Sequence, residues 1–573
     1  MKIKNESIWL VILAIVCVLI YANSLGGEFV YDDVRQVVRN TLVQDNSMIW
    51  KALTSDVWAV KSDGNLVASN YWRPTFTLWN IICFRLFGIN PVGWHAANIL
   101  LHMAVTLLAF LLLRRWKYSA IVAFSIALIF AVHPAHVESV AWIAGSPDLL
   151  FSLALLASLW FATNYRTSGN NLDLALTVAF YLIALGAKEI GIICLPIYYF
   201  LFTAPELEEG EPERKKGSDR TPIVLLGITA AAYFFIRWSI LGAISRPPQD
   251  GVALADAIRT VPLMFAFYVK QIFFPISIAA NYPLTPLQQI SVTNFFLPLG
   301  VSLAVLAGIG YLVRESTRAR IAAAIFLLPL IPAMNATAFV FENIVHDRYL
   351  YLPLLGVLML IVPLGERFLR EKHILIAACA VSLVLSIQTF RYNTAWADAL
   401  SLWTWTAKTD DSAFTAVQLG TALASAERNE EAAQAYSAAL AKRPGYHGYL
   451  GRGRAYVSLK QYAKAEADLK TALQMPPESQ EIYALYQTYE ALGIAYSEQQ
   501  KFDDAIAILK EGRSKLQLYS AALTEKLAIV LYQTGRKQEA LSELEGVQAQ
   551  ARKELLPESK NVFFRLGLLY AEL

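Results

Sequence analysis

Long apolar runs alternate with short polar segments over the first two thirds of the chain, and this pattern ends near residue 390. A helix of about 20 apolar residues is long enough to cross the hydrocarbon core of a bilayer. The pattern predicts about 11 spans. The apolar runs lie at roughly 7–25, 92–113, 118–133, 147–164, 172–187, 190–204, 221–242, 295–313, 319–338, 349–365 and 372–390. Residues 1–395 are therefore predicted to form a polytopic, all-α membrane helix bundle.

After about residue 410 the chain becomes polar, and a repeat of about 34 residues begins, as in tetratricopeptide repeats. Small residues recur at fixed spacing around one large side chain. The first repeat carries Gly420, Ala432, Tyr436, Ala439 and Pro444. The next carries Gly453, Ala465, Leu469, Ala472 and Pro477, and two weaker repeats follow. The spacing predicts a tetratricopeptide-repeat α-solenoid over 411–573, with 396–410 as a linker and a capping helix at Leu566 and Gly567.

Composition supports a membrane protein and excludes several functions. Hydrophobic residues make up 56% of the chain, and the mean hydropathy of +0.41 is rare for a soluble domain. A net charge of +3 provides no large basic surface for nucleic acid. The four cysteines share no short motif, so neither a disulfide framework nor a zinc site is indicated.

Basic residues predict the topology, because cytoplasmic loops of membrane proteins are enriched in Lys and Arg. The first run is long for a signal peptide and lacks a small-residue cleavage site, so we expect a retained helix with a cytoplasmic N-terminus. Every loop then placed inside is basic: Arg114 with Arg115 and Lys117; Arg166; Arg214, Lys215 and Lys216 with Arg220; Arg314 with Arg318 and Arg320; Arg367 with Arg370 and Lys372. The repeats are predicted to lie outside. If the apolar segment 258–279 also crossed the membrane, the later basic loops would lie outside, and Lys270 would be buried in the bilayer at a high cost in free energy. We therefore expect a re-entrant or surface-lying segment.

The loops placed outside collect the unusual polar residues of the chain. The acidic pair Asp32 and Asp33 follows the first span and opens a long outer loop, about 26–91. The other outer segments contain Tyr71, Trp72, Arg73 and Pro74; His133, His136 and Glu138; Asp148; Lys188 and Glu189; and His346, Asp347, Arg348 and Tyr349. Acids and bases on one membrane face predict chemistry just outside the hydrocarbon.

These residue types suit transfer from a lipid-linked phosphate. A carboxylate can take the proton of an acceptor hydroxyl, which Asp32 or Asp33 would do. Cations can stabilise the departing phosphate, a role for Arg73, Lys188 and Arg348. Arg binds phosphate through a planar fork of donors, whereas Lys acts as a point charge.

Simpler interpretations exist for each motif. Asp32 and Asp33 could simply cap a surface helix. Arg73 and Arg348 could lie at the membrane surface with their charged ends in water and have no further role. Lys188 and Glu189 would also form a local ion pair at a helix end. The three residues His133, His136 and Glu138 have metal-ligand types, but Pro134 interrupts a helix there, which favours a hydrogen-bonded loop scaffold.

Together these motifs resemble a known family. In order they are Phe29-x-Tyr31-Asp32-Asp33; Tyr71-Trp72-Arg73-Pro74; His133-Pro134-x-His136-x-Glu138; Lys188-Glu189; Arg348-Tyr349-Leu350-Tyr351; and the repeats. This order resembles the transmembrane and tetratricopeptide-repeat O-mannosyltransferases and their bacterial relatives, within the C-type membrane glycosyltransferase superfamily (GT-C).

The resemblance implies a membrane bundle of about 11 to 13 helices that acts as an inverting glycosyltransferase with a polyprenyl-phosphate sugar donor. It implies Asp32 as general base with Asp33 orienting it, and Arg73 facing the donor phosphate. Lys188 and Arg348 match later motifs of the family around the same pocket, and as cations they are also predicted to bind the phosphate. Glu189, His133, His136, Glu138, His346 and Tyr349 are implied as supporting residues. Two close carboxylates also suit a divalent cation, although a metal-free base fits the spacing equally well.

The predicted acceptors are Ser and Thr hydroxyls of exported proteins that dock on the repeats. A lipid or polysaccharide acceptor is an alternative, and a non-catalytic envelope scaffold built on the repeats is another. Short cytoplasmic loops together with the cysteine and charge pattern are typical of a bacterial inner-membrane protein, which would use an undecaprenyl carrier. The expected partners are therefore the lipid-linked sugar, the acceptor protein and membrane lipids, without nucleic acid.

Overall fold

The computed structural model describes residues 6–59, 69–203, 220–243, 252–314, 316–339, 341–475, 482–554 and 561–572. Every regular element within these ranges is a helix, which confirms the all-α prediction. Four residues used in the predictions, Arg214, Lys215, Lys216 and Pro477, lie outside the described ranges. The chain divides into two compact units between residues 409 and 410.

The first unit contains the apolar helices, here α1–α17. Their bounds are α1 Glu6–Tyr21, α2 Thr41–Gln44, α3 Ile49–Leu53, α4 Pro74–Phe87, α5 Pro91–Arg115, α6 Ala120–Val132, α7 Val137–Val140, α8 Ser146–Ser168, α9 Asn171–Ala187, α10 Leu195–Thr203, α11 Thr221–Leu241, α12 Leu254–Phe273, α13 Leu297–Leu312, α14 Thr317–Ala333, α15 Tyr351–Ile361, α16 Glu371–Asn393 and α17 Ala399–Thr406. Short 3-10 and π turns extend several of them, so the apolar segments are longer than these bounds.

Seven of the described apolar segments are long enough to cross a membrane by length and composition. They are Glu6–Gly26, Pro91–Arg115, Ile143–Ser168, Thr221–Leu241, Val292–Leu312, Asp347–Arg367 and Glu371–Ala397. Ala120–Val132 and Pro134–Val140 form an eighth if the bent pair counts as one span, with a bend of 54° at the break. The chain is thus a multi-pass membrane protein. The larger number of spans stays a prediction, since α9 and the Glu189–Thr203 segment are shorter.

Basic residues predicted to face the cytoplasm meet at one end of the helices. Arg114 Nε donates to Glu6 Oε1 over 2.9 Å, and Arg115 Nη2 donates to Thr167 Oγ1 over 3.1 Å. Arg318 Nη1 donates to the Lys117 carbonyl over 3.1 Å. These bonds join the ends of α1, α5 and α8 to the start of α14.

Asp148 marks the opposite end of the same bundle. It lies in the first turn of α8, while Thr167 lies in the last. The 23 residues of α8 extend about 35 Å, which is close to the thickness of a bilayer core. The basic end and the end that carries Asp148 are therefore on opposite sides of the bundle.

Two of the segments discussed above contain a helix. Within 258–279, residues up to Phe273 form α12, which is not among the helices that satisfy the spanning criteria. Its position relative to the bilayer stays a prediction. The proposed linker 396–410 contains α17, which buries Leu402 and Trp403 in the first unit. Four large apolar or aromatic residues within one short helix, Leu400, Leu402, Trp403 and Trp405, favour packing over an extended linker.

The second unit is a series of antiparallel helix pairs. Its helices are α18 Ala413–Ser425, α19 Asn429–Lys442, α20 Tyr446–Ser458, α21 Tyr462–Gln474, α22 Ile482–Glu498, α23 Phe502–Lys515, α24 Ser520–Gln533, α25 Lys537–Glu554 and α26 Asn561–Glu572. The repeat glycines allow the helices of a pair to approach closely. A Cβ atom on Gly453 would lie 2.7 Å from Leu469 Cγ, and one on Gly493 would lie 2.8 Å from Leu509 Cγ.

We expect Gly453→Ala to destabilise the repeats by about 1–3 kcal/mol, because the added methyl group overpacks a buried helix contact. Gly546→Ala is the matched control. Gly546 also lies in a repeat helix, but a Cβ there meets nothing within 4 Å. That variant should gain about 0.5–1 kcal/mol from helix propensity. Denaturant unfolding of the purified protein, followed by hydrogen exchange in the repeat helices, measures both; equal shifts would contradict this packing.

Candidate active site

The loop after α1 is held in place by the carboxylate of Asp33. Asp33 is fully buried, and its oxygens accept the backbone N–H of Val30 over 3.0 Å and of Ala144 over 2.7 Å. Burial raises the pKa of Asp33, against the lowering effect of these two hydrogen bonds. Asp32 precedes it and is partly exposed. Asp33 therefore joins the loop to the segment before α8 and holds the backbone of Asp32.

Arg73 is paired with Glu189 just before α4. Its Nε donates to Glu189 Oε2 over 2.9 Å, and its Nη2 donates to Oε1 over 2.8 Å. The guanidinium also lies 4.5 Å from the ring centre of Tyr71. Trp72 supports this backbone by donating to the Leu53 carbonyl over 2.8 Å, and Tyr233 donates to the Trp72 carbonyl over 2.9 Å. Arg73 is thus fixed, with a carboxylate along one edge of its guanidinium and an aromatic ring over one face.

Arg348 is paired with Glu138 at the start of the α15 span. The Arg348 backbone N–H donates to Glu138 Oε2 over 3.0 Å, and its Nη1 donates to Oε1. His346 Nδ1 lies 3.4 Å from the same Oε1. The guanidinium lies 5.3 Å from the ring centre of Trp142 and 5.0 Å from that of Tyr349. Glu138 therefore holds both the backbone and the side chain of Arg348.

Lys188 is paired with Asp148 rather than with its neighbour Glu189. Its Nζ donates to Asp148 Oδ1 over 2.5 Å, and both side chains are less than one tenth exposed. Nζ also lies 4.8 Å from the ring centre of Tyr349. Burial lowers the pKa of Lys188; Asp148 opposes this, and the charges of Arg73 and Arg348 add to it.

The electrostatics of Tyr71 show that these groups form one cluster. Burial raises the pKa of its phenol; Arg73 lowers it, Glu189 raises it, Arg348 lowers it and Asp32 raises it. Four charged side chains from distant parts of the sequence therefore act on a single hydroxyl. The pKa of Lys188 is in turn lowered by two of these charges, those of Arg73 and Arg348.

The histidines of the loop after α6 are part of the scaffold. His133 Nδ1 accepts the Ala135 N–H over 3.2 Å, and its Nε2 bonds with the Ile272 carbonyl over 3.0 Å. His136 is fully buried among rings, and neither of its nitrogens has a hydrogen-bond partner. Within the described ranges no three His, Cys, Asp or Glu side chains are arranged to hold a metal ion. A divalent cation at Asp32 and Asp33 stays a prediction.

Several residues of the cluster were not among the predicted site residues. Asp148 pairs with Lys188, and Tyr71 and Trp142 face the two arginines. Gln271 Nε2 donates to Asp347 Oδ1 over 2.9 Å, and Tyr282 donates to Oδ2, beside Arg348. The sequence feature that marks Asp148 is its position as the single acidic residue in the first turn of an otherwise apolar helix. No pattern in the sequence indicates Gln271 or Tyr282.

The Arg73–Glu189 pair predicts a dependence of stability on pH. Burial alone would raise the pKa of Glu189, but Arg73 outweighs it and lowers the pKa from 4.5 to about 2. The contribution of Glu189 is therefore present above pH 4.5 and is lost as the pH falls towards 2. The stability difference between wild type and Glu189→Gln should narrow by about 2 kcal/mol between pH 4.5 and 3, at about 1.4 kcal/mol per pH unit. Chemical unfolding of both proteins in detergent at each pH measures this difference. A difference in the free energy of unfolding that does not change with pH would contradict the Arg73–Glu189 pairing.

Comparison with protein families supports the repeat assignment. A tetratricopeptide-repeat model matches residues 417–479 and 490–554. The fold and the charged cluster thus define a multi-pass membrane protein that carries tetratricopeptide repeats after residue 410.

Several proteins that are similar to this chain in sequence are named protein O-mannosyl-transferases. The F38B6.6 protein of Caenorhabditis elegans is 24% identical over 411 residues, covering 69% of this chain and 56% of the relative. Human TMTC3 is 25% identical over 502 residues, covering 80% and 54%. Human TMTC1 is 40% identical over 145 residues, covering 24% and 16%. The resemblance seen in the motifs is confirmed, and the chain spans about half the length of these relatives.

A solved structure is also similar in part. The oligosaccharyltransferase of Archaeoglobus fulgidus, tethered to an acceptor peptide, aligns with 75% of this chain and 59% of its own. The TM-score is 0.35 at 14% identity. A score at this level does not establish a shared fold.

Proposed function

We propose that this protein is an inverting glycosyltransferase that moves a sugar from a polyprenyl-phosphate carrier to Ser or Thr hydroxyls of exported proteins. The observation that carries the proposal is the group of cations around two tyrosines: Arg73 lies against the ring of Tyr71, and Lys188 and Arg348 both lie against the ring of Tyr349. The charge of the partly exposed Asp32 also acts on Tyr71. The names of the relatives support sugar transfer to protein. The repeats, as a docking surface, support a protein acceptor.

In the proposed reaction Asp32 accepts the proton of the acceptor hydroxyl. The hydroxyl oxygen then bonds to the anomeric carbon of the sugar as the bond from that carbon to the phosphate oxygen breaks. Attack from the face opposite the phosphate inverts the anomeric centre. Asp33, held by two backbone N–H groups, keeps the loop and hence Asp32 in position.

The leaving phosphate carries away the electron pair and needs cations. Arg73 uses Nε and Nη2 for Glu189, which leaves the N–H groups of Nη1 for a phosphate oxygen. The carboxylate partners fix the direction of each cation, and a preorganised donor costs no reorganisation during reaction. We propose that Arg73 and Arg348 contact the phosphate and that Lys188 adds charge behind them.

The proposed location of this chemistry is the extracytoplasmic face of a bacterial inner membrane. The basic residues at the end of α5 and α8 lie opposite the charged cluster, and basic loops favour the cytoplasm. The donor would then present its sugar outside the cytoplasm, where exported proteins and the repeats would meet it.

A transfer assay with the purified full-length protein tests the proposal. Polyprenyl-phosphate mannose and polyprenyl-phosphate glucose would be offered together with Ser- and Thr-containing peptides, and with lipid and oligosaccharide acceptors in parallel. We expect sugar on the peptides, with inverted anomeric configuration. Transfer only to lipid or oligosaccharide acceptors would contradict the protein acceptor, and no transfer to any of them would contradict the enzyme assignment.

A further inference from the structure

Tyr31 has an unusual backbone conformation next to the proposed general base. Its φ angle is +55°, in the left-handed region that side chains other than glycine rarely adopt. This backbone conformation costs about 1–2 kcal/mol of free energy, and it is maintained only where surrounding contacts stabilise it. Because Asp32 follows directly, the conformation of Tyr31 sets the direction in which the chain enters the acidic pair.

Two tryptophans pack against the ring of Tyr31. Trp403 meets it edge-on, with ring centres 5.4 Å apart, and Trp142 lies 5.9 Å away. Aromatic pairs of this kind contribute about 0.5–1.5 kcal/mol each beyond their buried area, enough to offset the backbone strain. Trp142 also faces the guanidinium of Arg348 at 5.3 Å. Trp142 therefore connects the loop that carries Asp32 to a proposed phosphate-binding cation.

Trp403 is held by α17. Asp398 caps this helix by accepting the Ser401 N–H over 2.8 Å, and Trp405 Nε1 donates to the Ile278 carbonyl over 2.7 Å. Trp403 itself is only 3% exposed. Because α17 is anchored at both ends, it holds the Trp403 ring against Tyr31 in a defined position. The sequence alone predicted a linker over this segment.

We propose that Trp403 is a positioning residue for the transfer reaction, and that with Trp142 it clamps Tyr31 so that Asp32 stays aligned with Arg348. The inference rests on the proposed function. It adds α17 to the parts of the chain on which catalysis depends. Since a displacement of about 1 Å can cost on the order of 10²-fold in rate, loss of the clamp should act mainly on kcat.

The test compares Trp403→Leu, which keeps apolar volume and removes the aromatic ring, with the milder Trp403→Phe. Thr404→Leu is the matched control, since Thr404 is exposed in the same helix and makes no ring contact to Tyr31. We expect kcat per folded molecule to fall about 10²-fold in Trp403→Leu and less in Trp403→Phe, with the donor KM unchanged. A merely structural role would lower the folded fraction and leave kcat per folded molecule unchanged.

The outcomes separate this inference from the proposed function. If the wild type transfers sugar and either folded Trp403 variant keeps the wild-type kcat, the clamp is wrong and the glycosyltransferase stands. An equal loss of kcat in Thr404→Leu would also overturn the clamp. If Trp403→Leu does not fold, the kcat of folded Trp403→Phe is compared with that of the wild type instead, and an unchanged kcat overturns the clamp. A wild type without transfer activity would overturn both.

Discussion

Replacement of Asp32 by Asn is expected to reduce sugar transfer by about 10²–10⁴-fold, the usual contribution of a positioned general base. The amide has nearly the same shape as the carboxylate but cannot accept the proton of the hydroxyl. Asp32 is partly exposed, and the loop is held by Asp33 through Val30 and Ala144. The melting temperature should therefore remain close to that of the wild type, while kcat falls.

Glu28→Gln is the matched control for this experiment. Glu28 precedes the acidic pair in the same loop and is exposed, so loss of its charge should leave transfer unchanged. Initial rates with saturating donor and acceptor measure both variants. A folded Asp32→Asn protein with wild-type turnover would remove Asp32 from the mechanism.

Glu138→Ala should cost about 3–5 kcal/mol in the free energy of unfolding, because it leaves the partly buried charge of Arg348 without its partner. Glu138 is 2% exposed at the side chain and bonds to both the backbone and the guanidinium of Arg348. Chemical denaturation in detergent measures the loss. Glu371→Ala, at an exposed acid in α16, is the control and should shift stability by less than about 1 kcal/mol.

A double variant distinguishes a broken ion pair from lost packing. Glu138→Leu with Arg348→Met removes both charges, and an apolar replacement of a buried pair is often nearly neutral. The double variant should therefore unfold at higher denaturant than Glu138→Leu alone, although it should not transfer sugar. Additive losses from the two single variants would contradict the pairing.

The sequence was sufficient to predict the class of fold, since membrane spans and tetratricopeptide repeats are read from local periodicity. It also placed Asp32, Arg73, Lys188 and Arg348 at one face through the distribution of basic loops. That placement needs only the order of spans along the chain.

The partners of these residues could not be predicted, because they are distant in sequence. Arg73 and Glu189 are 116 residues apart, and Arg348 and Glu138 are 210 apart. Lys188 bonds to Asp148, 40 residues away, rather than to the adjacent Glu189. Pairing over such distances depends on how the helices pack, which composition and spacing do not contain. Trp403 was missed for the same reason.

A cryo-EM structure of the full-length protein with a bound polyprenyl-phosphate sugar tests the central claim most directly. We expect the phosphate within hydrogen-bond distance of Arg73 or Arg348, with the anomeric carbon facing Asp32. Density for the phosphate at the end of the bundle that carries Arg115 and Arg318 would contradict it.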